Sequence, residues 1–239
     1  MFSFAPGSAG GPHGLSPQHL KDLIKAENNA ENNAGQLAQA LTSFVNILLQ
    51  GLVPELVQPL FFGARLTAFM KKDGGLRPIA VGLTLRRLAA KVVATHATSK
   101  LQSLFSPVQL GVGVARGLEA GVHAARVFTD SLPSRHALVK IDFANAFNCN
   151  RRDTVLEAVD RALPSVYPFA FSSYARDSVL FFGNDKLMST EGVQQGDPLG
   201  PLLFCLTTLP LLTSCAAQLK FGYLDDFTLG GELPVLVKE

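Results

Sequence analysis

A long uncharged and largely apolar stretch, from Pro198 to Leu219, constrains the fold most, because it has to be buried in lipid or in a protein core. Its 22 residues could cross a bilayer as a helix, since a helix rises about 1.5 Å per residue. Three prolines, a glycine and four Ser or Thr residues interrupt it, however, and a polar turn follows almost at once. The stretch is therefore predicted to be a buried core helix, without a membrane span.

The composition is that of a globular protein. The 239 residues are 47% hydrophobic and 17% charged, which is enough apolar material for a sizeable core. Cys149, Cys205 and Cys215 form no C-x-x-C pair and the five histidines show no H-x-x-x-H spacing, so a disulfide scaffold or a structural zinc site is disfavoured. Plain thiols fit a reducing, intracellular setting, and no secretory signal peptide follows Met1.

Charge is distributed unevenly along the chain. Residues 65–152 contain 14 Lys or Arg and four acids, a formal charge of +10, whereas the remainder carries −8. A basic block of this size is typical of a surface that binds a phosphate backbone, and a solvated surface is the alternative interpretation.

Hydrophobic periodicity and turn signals predict a mixture of helices and hairpins, which is the α+β class. Gln109 to Gly117 is rich in glycine, but its spacing is not that of a dinucleotide-binding loop, so it is interpreted as an ordinary connection. The predicted elements include a hairpin over 65–81 with the turn Asp73-Gly74-Gly75, a helix from Thr84 to about Leu101, a strand over His136–Asp142, a helix over Arg152–Ala162, a hairpin over 178–190 and a last hairpin around Tyr223–Asp226.

Three acids lie where apolar strands end. Asp142 follows a buried strand, and Asp225 and Asp226 occupy a turn between Leu224 and Phe227. Two like charges ~4 Å apart repel by roughly 4 kcal/mol at an effective dielectric constant near 20, and a divalent cation removes that repulsion. Carboxylates without His or Cys neighbours favour Mg²⁺ or Mn²⁺, and two such ions suit phosphoryl transfer. Taken alone, an Asp-Asp pair is more often a surface turn.

Four motifs follow one another along the chain. They are KKDGGLRP over 71–78, KIDFANAF over 140–147, EGVQQGDPLGP over 191–201 and FGYLDD over 221–226. In order and spacing they resemble the fingers and palm motifs of reverse transcriptases, most closely those of non-LTR retrotransposons. The resemblance runs from about Gly11 to Gly231. It implies an RNA-directed DNA polymerase with a right-hand fingers–palm fold, in which an antiparallel palm sheet packs on helices.

The resemblance implies a role for each acid. Asp142 and Asp225 would ligate two Mg²⁺ or Mn²⁺ ions, with Asp226 in support and the backbone carbonyl of Phe143 as a further ligand. Phe147 matches the aromatic position that stacks under the sugar and excludes a 2′-hydroxyl.

The resemblance also implies contacts to a dNTP, an RNA template and a DNA primer. Residues expected to contact the nucleotide are Lys71, Arg77, Asn145, Ala146, Gln195 and Gly196. Residues expected to contact template phosphates are Arg86, Arg87 and Lys91, for which a solvated helix face is the competing interpretation.

The same resemblance divides the chain into an N-terminal loop, short helix and polar linker (1–35), a fingers-like region (36–135) and a palm (136–239). In the family a further strand and a helical thumb follow the acidic hairpin, whereas only 13 residues follow Asp226 here. With the thumb absent, we expect weak nucleic-acid binding and little primer extension. We also expect an apolar patch that aggregates or is covered by a protein partner.

Two other functions stay open. An RNA-dependent RNA polymerase shares the palm and the acidic hairpin, although Phe147 argues against it because a ribonucleotide enzyme needs room for the 2′-hydroxyl. A decayed fragment that binds nucleic acid without catalysis is the second, and the intact Asp142, Asp225 and Asp226 weigh against it.

Overall fold

The computed structural model describes residues 4–28, 35–72 and 74–238. Most of the predicted polar linker, at 29–34, and Asp73 of the first predicted turn lie outside the described residues. The chain begins with helices α1 (Pro17–Asn28), α2 (Gln36–Leu49) and the short α3 (Gln58–Phe61). Helix α1 begins at Pro17, and the Ser16 hydroxyl before it accepts a hydrogen bond from the amide of His19 at 3.3 Å.

The first sheet is built from two hairpins that are distant in sequence. Strands β1 (Ala64–Met70) and β2 (Leu76–Gly82) form the predicted basic hairpin. Helices α4 (Thr84–Phe105) and α5 (Gly117–Asp130), strand β3 (His136–Asp142) and helices α6 (Arg152–Ala162) and α7 (Tyr167–Tyr174) follow. The chain then returns as β4 (Ser178–Phe182) and β5 (Asp185–Ser189). Strand β4 pairs parallel with β1, which gives the order β2-β1-β4-β5.

This pairing bears on the predicted division of the chain. The division at 1–35, 36–135 and 136–239 stays a prediction. Within it, the segment assigned to the palm contributes the 178–189 hairpin to the sheet that contains the fingers hairpin. Helix α4 begins at Thr84, and the Thr84 hydroxyl donates a hydrogen bond to the carbonyl of Leu15.

The second sheet is the predicted antiparallel palm sheet. Strand β3 (His136–Asp142) pairs with β7 (Asp226–Glu232), and β7 pairs with β6 (Leu219–Tyr223), giving the order β3-β7-β6. A short helix, α9 (Leu233–Leu236), follows β7. The sheet places the end of β3 beside the turn between β6 and β7, so that the three acids lie at one end of it.

The predicted core helix is confirmed as α8 (Gly200–Ser214). Leu203, Phe204 and Cys205 on this helix are at most 1% exposed. Helix α8 packs against α4, α6 (Arg152–Ala162), strand β6 and a 3₁₀ turn over Ala146–Cys149, and α6 in turn packs against α7 (Tyr167–Tyr174). Among the helices that the structure describes, none has both the length and the apolar character that a membrane span needs.

Candidate active site

The three acids meet at the open end of the palm sheet. Asp142 is the last residue of β3 and lies opposite Asp226 in the β3–β7 register. Asp225 belongs to the two-residue turn that joins β6 to β7, directly after Leu224. The β-sheet therefore explains why two motifs that are some eighty residues apart in sequence supply one acidic cluster.

A polar cavity of about 190 Å³ opens beside Asp142 and Asp225. It brings together most of the residues predicted for the metal and nucleotide site. Those that line it are Lys71, Arg77, Asp142, Phe143, Asn145, Ala146, Phe147, Gln195 and Asp225. Gly196, Asp226, Arg86, Arg87 and Lys91 do not line it. A larger groove of about 1030 Å³, lined by the N-terminal loop, α3 and β1, contains none of the predicted residues.

The segment after β3 forms the floor of this cavity. Asn145 has a positive φ of 50°, a conformation that asparagine tolerates better than most residues, and the 3₁₀ turn of Ala146–Cys149 begins directly after it. The Phe147 ring is half-buried, with its centroid 5.1 Å from that of Phe204 on α8. Its ring therefore both packs on the core and faces the cavity.

The loop over 191–197 links that floor to the fingers hairpin. The amide of Val193 donates to the Phe147 carbonyl at 2.8 Å, and the amide of Ala80 in β2 donates to the Gln195 carbonyl at 2.7 Å. Gly196 has a φ of 117°, and a Cβ there would lie 2.6 Å from the Ala80 carbonyl oxygen. Glycine is thus required by the approach to β2, which holds Gln195 at the cavity.

The fingers hairpin supplies the positive charges of the cavity. Lys71 and Arg77 lie near its tip, and both are exposed. The hairpin is closed at this point by the amide of Lys71, which donates to the Gly75 carbonyl at 2.7 Å. Two cations thus face two carboxylates across a small polar space, an arrangement suited to a polyanionic ligand bound together with a metal ion.

Residues 69–235 match the model of a protein family described as reverse transcriptase (RNA-dependent DNA polymerase). The chain belongs to this family. The retrotransposable element SLACS 132 kDa protein of Trypanosoma brucei gambiense is 32% identical, over 69% of this chain and 14% of that protein. The predicted likeness to a retrotransposon reverse transcriptase domain is confirmed, and the chain spans a small part of this relative.

Solved polymerase structures share the fold of this reverse transcriptase domain. Telomerase from Candida tropicalis, truncated from its C-terminal domain, has a TM-score of 0.53 at 12% identity, covering 82% of this chain and 50% of that chain. The Sicinivirus 3Dpol RNA-dependent RNA polymerase has a TM-score of 0.56 at 15% identity, covering 97% and 50%. At such identities the likeness concerns the fold alone, and it confirms the predicted α+β right-hand polymerase architecture.

Arg86 was predicted to contact template phosphates, and this prediction is wrong because the residue is buried. It is 2% exposed, and its Nη2 lies 2.7 Å from Asp197 Oδ2. Its Nη1 donates to the Phe62 carbonyl at 2.5 Å and to Gln194 Oε1 at 2.7 Å. The Arg86 guanidinium therefore anchors the 191–197 loop from inside the core.

Arg87 and Lys91, on the same helix, contact the N-terminal segment. Both cationic groups lie over the Phe4 ring, at 5.1 and 5.0 Å from its centroid, and Arg87 Nη1 donates to the Ala9 carbonyl at 2.6 Å. Burial lowers the pKa of the Arg87 guanidinium. These contacts give both side chains a structural function, and their contact with nucleic acid stays a prediction.

Asp226 differs from Asp225 in its surroundings. Lys140 Nζ lies 2.9 Å from Asp226 Oδ1, and the hydrogen bond and charge of Asp226 raise the pKa of the Lys140 ammonium. Both side chains of the pair are about half exposed or more. Asp226 lines a neighbouring pocket with Lys140 and Tyr223, so its negative charge is balanced outside the cavity that contains Asp142.

The donor set of the cavity fits a hard divalent cation. Within the part of the chain that the structure describes, no three His, Cys, Asp or Glu side chains cluster to hold a metal ion by themselves. Mg²⁺ commonly keeps several waters and is held by one or two carboxylates together with substrate phosphates. Asp142, Asp225 and Phe143 line this cavity together, so oxygen atoms of the kind that such an ion prefers are available there.

One residue at this site was missed by sequence reasoning. The side chain of Gln109 is hydrogen-bonded to the backbone of Leu224, the residue before Asp225. The sequence predicted an ordinary connection at 109–117, and the closely spaced glycines of this segment were the available signal, because glycine permits one backbone to approach another.

Proposed function

We propose that this domain transfers a nucleotide from a dNTP to the 3′-hydroxyl of a DNA primer on an RNA template. The observation that carries the proposal is the single cavity in which Asp142 and Asp225 face Lys71 and Arg77. Membership of the reverse transcriptase family supports the choice of template and product.

The carboxylates determine where the metal would bind. Asp142, Asp225 and the Phe143 carbonyl would hold Mg²⁺ or Mn²⁺, and two such ions would supply Lewis-acid stabilisation of the attacking and leaving oxygens. The primer hydroxyl would attack the α-phosphate in line, and pyrophosphate would leave.

The fingers residues would hold the outer phosphates of the dNTP. Lys71 offers a compact point charge, and Arg77 offers a planar fork that can donate two parallel hydrogen bonds to phosphate oxygens. Asn145 and Ala146 would donate backbone N–H groups from the floor of the cavity. Gln195, whose carbonyl accepts a hydrogen bond from strand β2, would contact the base pair between template and nucleotide. Gly196 would allow this loop to approach β2 closely.

The Phe147 ring would lie under the sugar of the nucleotide. Because the ring is packed on Phe204, it cannot easily withdraw, and a ribose 2′-hydroxyl would meet it. This favours deoxynucleotides over ribonucleotides, and thus favours a reverse transcriptase over the RNA polymerases whose fold the domain shares.

Primer extension tests the proposal. The purified chain is given an RNA template, a DNA primer and dNTPs with Mg²⁺ or Mn²⁺, and single-nucleotide addition is measured alongside binding of the RNA–DNA hybrid. We expect slow addition that Asp225→Asn abolishes without weakening hybrid binding. Asp160→Asn, which changes an exposed aspartate on α6, is the matched control and should extend like the unaltered chain.

The outcomes separate the candidate functions. Extension that persists in Asp225→Asn contradicts the metal assignment. Hybrid binding without any nucleotide addition in either metal contradicts catalysis and favours the non-catalytic binding function. Addition of rNTPs in preference to dNTPs favours an RNA polymerase.

A further inference from the structure

We propose that Gln109 is a positioning residue that holds the acidic turn so that Asp225 is presented to the cavity before nucleotide binds. The proposal rests on the proposed function in one respect, since it takes Asp225 to be a metal ligand. It assigns the Gln109 amide a role through the backbone of Leu224, without contact to metal or substrate.

The Gln109 side chain is committed to the turn by its hydrogen bonds. Its Oε1 accepts from the amide of Leu224 at 3.0 Å, and its Nε2 donates to the Leu224 carbonyl at 3.2 Å. The same Oε1 also accepts from the amide of Gly111 at 2.9 Å. Gln109 is 1% exposed, so water does not compete effectively for these groups. A single side chain thus satisfies both backbone groups of the residue that precedes Asp225.

The turn needs such a partner because of its conformation. Leu224 is the first residue of a two-residue hairpin turn and has a positive φ of 57°. Glycine, asparagine or aspartate usually occupies such a position, and a positive φ is unfavourable for a bulky residue such as leucine. Strain of this kind persists where surrounding contacts over-determine the backbone, and the Gln109 amide provides such contacts.

The segment that contains Gln109 is itself fixed against the palm sheet. The amide of Leu110 donates to the Gly222 carbonyl and the amide of Gly222 donates to the Val108 carbonyl, both at 2.7 Å. A Cβ at Gly222 would lie 2.9 Å from Gln109 Nε2, and one at Gly111 would lie 2.5 Å from the Leu224 amide nitrogen. Both glycines therefore leave the space in which the amide reaches the turn.

The first test compares metal binding with and without the amide. Gln109→Met keeps the length of the side chain and removes its strong hydrogen bonds. Mn²⁺ binding to the chain alone is measured from the electron paramagnetic resonance signal of the unbound ion. We expect Mn²⁺ affinity to fall about 10- to 100-fold, the range found when partners that orient metal ligands are removed. The rate of nucleotide addition should fall with it, while hybrid affinity is kept.

A matched control distinguishes the loss of the contact with the acidic turn from the general effect of losing a buried side-chain amide. Gln58 is also buried, and its Nε2 donates to the Val53 carbonyl at 2.8 Å, away from the cavity. Gln58→Met should leave Mn²⁺ affinity unchanged, whatever it does to thermal stability. An equal loss of Mn²⁺ affinity in both variants would overturn the proposal.

A double-variant comparison tests the mechanism itself. Leu224→Gly relieves the unfavourable positive φ, so the turn should depend less on Gln109. We expect Gln109→Met to reduce Mn²⁺ affinity less in the Leu224→Gly background than in the unaltered chain. The same fold-reduction in both backgrounds would contradict a role through the turn. If Gln109→Met fails to fold, Gln109→Asn, which keeps the amide and shortens its reach, gives the same comparison.

Failure of this proposal is distinguishable from failure of the proposed function. If Asp225→Asn binds Mn²⁺ as tightly as the unaltered chain, the metal assignment itself is wrong. If Asp225→Asn loses Mn²⁺ and Gln109→Met does not, the metal assignment holds and the positioning role of Gln109 is wrong.

Discussion

Lys140 and Asp226 form an ion pair at the end of the palm sheet, with Nζ 2.9 Å from Oδ1. Asp226 lies opposite Asp142 in the strand register, and yet only Asp142 and Asp225 line the polar cavity. The two adjacent aspartates are therefore unlike: Asp225 lies in the turn and lines the polar cavity, whereas Asp226 begins β7 and its charge is balanced by a lysine.

The two aspartates should accordingly respond differently to neutralisation. Asp225→Asn should abolish nucleotide addition and most Mn²⁺ binding, because it removes a ligand. Asp226→Asn should retain measurable activity, and its Mn²⁺ affinity should be at most about tenfold lower than that of the unaltered chain. A loss of about tenfold is the lower end of the range found when residues that support metal ligands are replaced. Side-by-side single-nucleotide addition and Mn²⁺ titration check this, and equal losses in the two variants would contradict it.

Removing the lysine of the ion pair should strengthen cation binding. Lys140→Met deletes a positive charge beside the carboxylates, so Mn²⁺ affinity should rise at low ionic strength, and the gain should shrink in high salt as the charges are screened. Lys186→Met, on the exposed strand β5, is the control and should have no effect. Weaker Mn²⁺ binding by Lys140→Met would mean that Lys140 orders the site.

Replacing Arg86 should destabilise the fold. Removing one member of a buried ion pair leaves its partner charge uncompensated, which typically costs about 3–5 kcal/mol. Arg86→Met should therefore lower the free energy of unfolding by that order, because Asp197 would keep only Tyr174 as a side-chain donor among its observed contacts. Urea unfolding measures the change, with Arg126→Met on the exposed face of α5 as the control. A stability close to that of the unaltered chain would contradict the anchoring role.

Opening the space under the sugar should relax the choice of nucleotide. Phe147→Val shortens the ring that faces the cavity, so the ratio of rNTP to dNTP incorporation should rise in a competition assay. Phe61→Val shortens a similarly half-buried ring that packs on Phe44 and Phe62, and it should leave the ratio unchanged. An unchanged ratio in Phe147→Val would make Phe147 a packing residue only.

The local sequence pattern predicted the helices and strands of this domain well, but it predicted contacts between residues distant in sequence poorly. Strand β3 and helix α6 have the predicted bounds, because alternation and helical spacing are read from adjacent residues. Arg86 and Arg87 are neighbours on one helix, and nothing local shows which of them is buried, since Asp197 lies 111 positions later. The Gln109 amide likewise meets a backbone 115 positions away.

The candidate site residues were predicted more completely than these contacts. Asp142, Asp225 and Phe147 occur in motifs whose spacing is dictated by the chemistry, so the resemblance to a family supplied their grouping. The buried residues that hold these motifs in place are set by packing, and an amide or guanidinium gives no sign in the sequence of whether its partner is water, backbone or carboxylate.

The parallel pairing of β1 with β4 has a consequence for the newly made chain. During synthesis at about 5–20 residues per second, the β1–β2 hairpin emerges on the order of ten seconds before the strand that completes its sheet. In that interval the edge of β1 that later pairs with β4 has no native neighbour. The hairpin also carries Phe69 and Met70, which are exposed even in the folded domain. Ribosome-bound chains stalled before residue 178 should therefore recruit chaperones, and chains stalled well after residue 189 should release them.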